Sequence, residues 1–156
     1  MAVVRNRDND KGAKKLIKEL RKLNEGPGVK VGWPASDSKA VAAHENSAKT
    51  VAEIAIVHEF GDPDRNIPER SMLRGAWDAN QKAWNTATDK LAKKISSNKT
   101  TVDQALELLG LLMVRDVKAR MVEGIAPPLK FRKGTPLIDT AQMLNALTFK
   151  KTKGTG

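Results

Sequence analysis

The chain has 156 residues, 40% of them hydrophobic, which fits a single globular domain with a core of its own. It contains no Cys, excluding a disulfide framework, a thiolate nucleophile and a Cys-based zinc site, and aromatic residues make up only 4%, so the expected core is Leu, Ile, Val, Ala and Met. The net charge of +10 is uneven: residues 1–30 carry nine basic against four acidic side chains, residues 127–156 six against one, and the centre is balanced. Such ends suit an acidic partner, nucleic acid or protein, as well as they suit plain solvation. No run approaches the roughly 18 to 20 apolar residues of a membrane span. Met1 to Arg5 lacks the apolar stretch of a secretory signal, so synthesis in the cytoplasm, with exit only inside a larger assembly, is the expectation.

Residues 10–24 read as an amphipathic helix. Ala13, Leu16, Ile17, Leu20 and Leu23 form its apolar stripe, Lys14, Lys15, Lys18, Arg21 and Lys22 lie on the other side, and Gly26-Pro27-Gly28 stops it. Val29 to Trp33 alternates as a strand with Val29, Val31 and Trp33 inward. Residues 35–49 read as a loop with room for a helical turn. Thr50 to Phe60 reads as helix, with a strand as the competing reading, and Gly61 to Asn66 as a loop.

The clearest helix runs from Ser71, a candidate cap, to about Ile95. Its stripe is Leu73, Trp77, Asn80, Trp84, Ala87, Leu91 and Ile95. A second long helix, capped by Thr101 or Asp103, runs to about Glu123 and is apolar nearly all round between Leu106 and Val114. A helix of that kind is buried on more than one side or lines a subunit interface. Pro127-Pro128 fixes a loop, Asp139 with Gln142 resembles a capping box for a short helix to about Ala146, and Leu147 to Lys150 closes the chain as a strand before a basic tail.

Catalytic chemistry is not visible. His58-Glu59 lacks the second His four residues on that a zinc protease helix needs, and His44 is the other His of the chain. There is no phosphate-cradling Gly-rich loop and no nucleophile elbow. Asp62 and Asp64 are better explained by turn formation than by paired acid–base work. Neither a catalytic residue, nor a cofactor, nor a metal is therefore expected. Nucleic-acid binding has the basic ends in its favour but no aromatic platform among them, and Trp77 and Trp84 suit core packing better than base stacking.

Three segments, taken in order, resemble one family. His58-Glu59-Phe60-Gly61 is followed by Asn66-Ile67-Pro68-Glu69-Arg70-Ser71-Met72-Leu73-Arg74 and a long helix, then by Ala126-Pro127-Pro128-Leu129, then by Pro136 to Leu147. This set, covering about residues 29 to 150, is similar to the minor virion proteins of tailed bacteriophages described as tail-completion, neck or virion-morphogenesis proteins. The family more often has Pro-Phe where this chain has Ser71-Met72, and Thr-Gly where it has Thr140-Ala141. The resemblance implies a non-enzymatic structural protein of the virion, made in the host cytoplasm, that closes or joins the tail at the head–tail junction as an oligomeric ring. Its implied partners are copies of itself, tail-tube or tail-terminator subunits and connector subunits, with no membrane. Sixfold symmetry is an expectation from tail geometry.

The expected fold is α+β: a small, mostly antiparallel sheet including residues 29–33 and 147–150, packed against two long helices. It forms one domain, residues 1–156, with a basic N-terminal helix region 1–28 and a basic C-terminal tail 150–156. Arg70 and Arg74, four apart, are expected on one face of the first turn of the long helix. With Lys150, Lys151 and Lys153 they are the candidate interface residues. The basic ends are expected to serve assembly rather than folding. The alternatives are a nucleic-acid-binding accessory protein using those ends, and a capsid-associated minor protein.

Overall fold

The computed structural model describes residues 10–45, 47–127 and 141–154. It is an α+β domain whose element order is α1 (Lys11–Asn24), β1 (Gly28–Gly32), α2 (Ser38–Val41), α3 (Val51–Phe60), a 3-10 turn (Pro63–Arg65), α4 (Leu73–Ser96), α5 (Val102–Glu123), α6 (Gln142–Ala146) and β2 (Thr148–Thr152). Among the described residues the sheet has two strands, β1 and β2, antiparallel in the register Gly28 to Thr152, Lys30 to Lys150 and Gly32 to Thr148. No helix among them is long and apolar enough to cross a membrane.

The helix reading of residues 50–60 holds over the strand alternative. Thr50 accepts a hydrogen bond from the Glu53 backbone N–H while the Glu53 carboxylate accepts from the Thr50 N–H, a reciprocal capping box. Thr101 and Gln104 start α5 in the same way, so of the two candidates Thr101 is the cap. The final strand runs two residues further than expected. Lys150 and Lys151 belong to β2 and not to a tail. Asp139, the expected cap of the last short helix, lies outside the described residues, as do residues 1–9, 155 and 156 of the two basic ends. Ala141, at the start of α6, has φ 55°, in the left-handed region that favours glycine.

The main core lies between α3, α4, α5, α6 and the sheet. Val51, Ala55, Met72, Ala76, Trp84, Val117, Met121, Met143 and Leu147 are buried there. Both of its Trp N–H groups find acceptors, as a buried indole requires: Trp84 Nε1 donates to Asp116 Oδ2 at 2.8 Å and Trp33 Nε1 to the Met143 carbonyl at 2.8 Å. A smaller cluster of Ile95, Val102 and Ala105, with Leu23, Leu91 and Leu106 against it, joins α1 to the α4–α5 turn. The sheet lies on α5 at Gly110, where a Cβ would stand 2.3 Å from the Phe149 ring. The residue is buried in mid-helix, where glycine costs about 1 kcal/mol against alanine, so close packing of the ring explains its presence.

Gly110→Ala is expected to destabilise the fold by about 1–3 kcal/mol despite its better helix propensity, because the ring must be displaced. Adding Phe149→Leu should recover part of the loss. Chemical denaturation of the single and double variants measures both.

Candidate assembly interface

The motif from His58 to Arg74 folds into one joint. Val51, Ala55 and Glu59 follow each other at four-residue spacing, so α3 turns all three inward, and Glu59 is only 5% exposed. Its carboxylate lies at the start of α4. Oε2 accepts from the backbone N–H groups of Met72 and Leu73, at 2.6 and 2.8 Å. Oε1 accepts from the Arg74 N–H and the Ser71 hydroxyl, both at 3.0 Å. Ser71, the expected cap, is displaced from that position: Met72 is the N-cap and carries no capping side chain, and the Ser71 hydroxyl accepts from the Gly75 N–H at 3.0 Å beside the carboxylate. Burial alone would raise the Glu59 pKa. The hydrogen bonds from Arg74, Leu73, Ser71 and Met72 outweigh it and hold the carboxyl below its ordinary range.

The start of α5 is served in a similar way. Glu19 of α1, 5% exposed, accepts from the Val102 N–H at 2.8 Å, and Lys22 of the same helix pairs with Asp103 at 2.9 Å. Turning Glu19 inward with Leu16 and Leu23 rotates α1 so that Ile17 and Leu20, part of its apolar stripe, face outward.

The five candidate interface residues are not brought together. Arg70 is a correction: it lies before the helix, is only 5% exposed, and donates through Nε and Nη2 to the Pro127 carbonyl at 3.2 and 2.9 Å. Helical spacing does not apply to it because α4 begins at Leu73. Arg74 is half-exposed. It pairs with Glu59 and Glu69 and stacks 4.9 Å from the Phe60 ring centroid. Lys151 is on the sheet face toward α5, paired with Glu107 at 3.2 Å. Lys150 is on the opposite face, against the Ser36 hydroxyl, and Lys153 is exposed beyond the strand.

Two exposed apolar surfaces stand out instead. The first is the outer face of α5. Two of its sides are covered, one by α4 and one by the sheet, while Leu108, Leu111 and Val122 on the third are 53%, 53% and 54% exposed. These positions fall at three- and four-residue multiples, with Arg115 between them, and form one ridge. The second is the α3–α4 joint, where Ile56 and Phe60 are exposed one turn apart, Arg74 lies over Phe60, and Trp77, also exposed, follows Arg74 by three residues. Core packing was the expected role of both tryptophans. It holds for Trp84, and Trp77 meets it edge-on at 5.8 Å with much of its own ring in solvent.

Among the described residues no three His, Cys, Asp or Glu side chains converge. Burial, then Arg70 and His44, hold His58 below its ordinary pKa. Comparison with known proteins finds no family model, no curated protein and no solved structure that matches this chain.

Because the Glu59 carboxyl has a lower pKa folded than unfolded, its ionised form stabilises the fold above about pH 4.3, and that contribution is lost as pH falls through the folded value. Glu59→Gln is expected to cost about 2–3 kcal/mol at neutral pH, the range for hydrogen bonds to a charged group, and to flatten the acid limb of the stability profile. Urea denaturation between pH 3 and 7 reads both. Arg70→Gln is expected to cost about 2–3 kcal/mol, since it removes a buried guanidinium and both of its hydrogen bonds to the Pro127 carbonyl. Arg74→Gln, half in solvent, is expected to cost about 1 kcal/mol. Equal losses in the two would contradict the placement of Arg70.

Proposed function

We propose that the chain is a structural subunit of a tailed-bacteriophage particle, of the tail-completion or neck type. In this reading it assembles with copies of itself into a ring that closes the tail and meets tail-tube, tail-terminator or connector subunits. The ordered motifs from His58 to Leu147 support the family. The observation that carries the reading is the apolar ridge of α5. A helix already packed on two sides keeps three large hydrophobic residues on its third, a surface that needs a partner.

A ring also needs two different patches per subunit, because head-to-tail contacts close only when one surface meets another of different make. The α5 ridge and the Ile56–Phe60–Arg74–Trp77 surface supply two. Both have the chemistry of interface centres: aliphatic side chains in one, and an arginine stacked on an aromatic ring in the other. Of the motifs that carry the resemblance, His58–Gly61 and Asn66–Arg74 serve the joint beneath the second patch. In this reading they fix the geometry of the assembly surface and take no part in chemistry.

Leu108→Glu with Leu111→Glu is the test. Both side chains are exposed in the single chain, so folding stability is expected to stay within about 0.5 kcal/mol of the parent. Sedimentation velocity is expected to show the parent as a closed oligomer and the double variant as a monomer. A parent that remains monomeric at high concentration and gives no rings in electron micrographs would contradict the proposal.

A further inference from the structure

The strand register places two lysines of opposite ends of the chain directly across from one another. Lys30 of β1 pairs with Lys150 of β2. Antiparallel partners stand with Cα atoms about 4.5–5.5 Å apart, and like charges directly opposite destabilise a sheet. Phe149 and Lys151 are turned toward α5, so by alternation Lys30 and Lys150 share the outer face. Both are exposed, and no carboxylate of the described residues pairs with either. Among the described residues, Lys150 reaches the Ser36 hydroxyl alone.

The rest of that outer face is small and flat. Gly28 faces Thr152 on one side of the lysine pair, and Gly32 faces Thr148 on the other. The strand residues of this face offer two charges that no carboxylate of the described residues pairs with, two threonine hydroxyl groups and close access to the backbone, and none of them is a large apolar side chain. A protein partner draws its affinity from buried apolar residues at the centre of the contact, and among the described residues the exposed large apolar side chains lie elsewhere, on α1, α2 and α5 and at the α3–α4 joint. Charge with polar groups and no anchor is the chemistry of binding to a phosphodiester backbone.

We infer that the outer face of the β1–β2 sheet binds nucleic acid through its backbone phosphates, with Lys30 and Lys150 converging on the polyanion and Thr148 and Thr152 beside them. The inference does not depend on the ring. It also regroups the basic residues of the chain. Lys150 acts with Lys30, which is 120 positions away, while its neighbour Lys151 is spent on Glu107.

The test measures binding of a 30-base-pair duplex DNA by fluorescence anisotropy across a range of salt concentrations. It compares the parent with Lys30→Gln/Lys150→Gln and with Lys82→Gln/Lys90→Gln. The second pair removes the same charge from the exposed face of α4. Each phosphate contact contributes about 0.9 to the slope of log affinity against log salt, so the sheet variant is expected to lose about 1.8 of that slope. The α4 variant should lose less than half as much. Relief of the like-charge pair means the sheet variant should melt at or above the parent temperature, which separates lost binding from lost folding. The inference is overturned if the parent does not bind duplex DNA at low salt, if the two variants lose equal slope, or if poly-glutamate binds the parent as tightly as DNA does. Sedimentation of the same samples keeps the outcome distinct from that of the ring.

Discussion

Every α-helix starts with backbone N–H groups that have no partner within the helix, and a long helix with a buried start must find acceptors for them. In this chain two carboxylates from other helices meet that need. Glu59 binds three consecutive N–H groups at the start of α4, and Glu19 binds one at the start of α5. A carboxylate is costly to bury unless it is fully hydrogen-bonded, and the partial positive charge of a helix start is a favourable place for it. The two acids therefore act as ties. Glu59 fixes α3 to α4, Glu19 fixes α1 to α5, and the packing of α4 along α5 is set between them.

The ties have consequences at the surface. Seating Glu59 leaves Phe60, the next residue, facing solvent, where Arg74 covers it while holding the same carboxylate. Seating Glu19 sends Ile17 and Leu20 outward. The sheet occupies a second side of α5, through Gly110, and the third side stays open. Thus the exposed apolar surfaces are not residues left over from a poorly filled core. They follow from which faces the ties and the sheet have already claimed. The charged face of the sheet is set apart from them by strand alternation, so the surface proposed for protein contact and the surface inferred for nucleic acid do not compete.

Much of the fold was legible in the chain. The four- and three-residue spacing from Leu73 to Ile95 located α4, Thr101 was one of two candidate caps of α5, and alternation from Val29 to Trp33 located β1. The interface was not legible as a site, for reasons particular to each residue. Arg70 and Arg74 share a helical face only if both are helical, and Arg70 is not. Lys150 and Lys151 look like one cluster until the strand period sends them to opposite faces. The two ties depend on contacts 12 to 15 residues away in one case and 83 in the other, beyond the reach of local spacing. A signal existed all the same. Glu59 continues the stripe Val51–Ala55, and Glu19 sits between Leu16 and Leu23. An acid in line with an apolar stripe is worth reading as a cap for another helix.

Amide hydrogen exchange tests the role of the ties most directly. In the parent, the N–H groups of Met72, Leu73 and Arg74 are expected to be protected nearly as strongly as those of the middle of α4, although they lack partners within the helix. In Glu59→Gln, protection at those three positions should fall well below that of Val117 and Met121 in α5, which the tie does not touch. Parent amides at 72–74 that exchange as freely as an uncapped helix end, or a variant with unchanged protection there, would contradict the account.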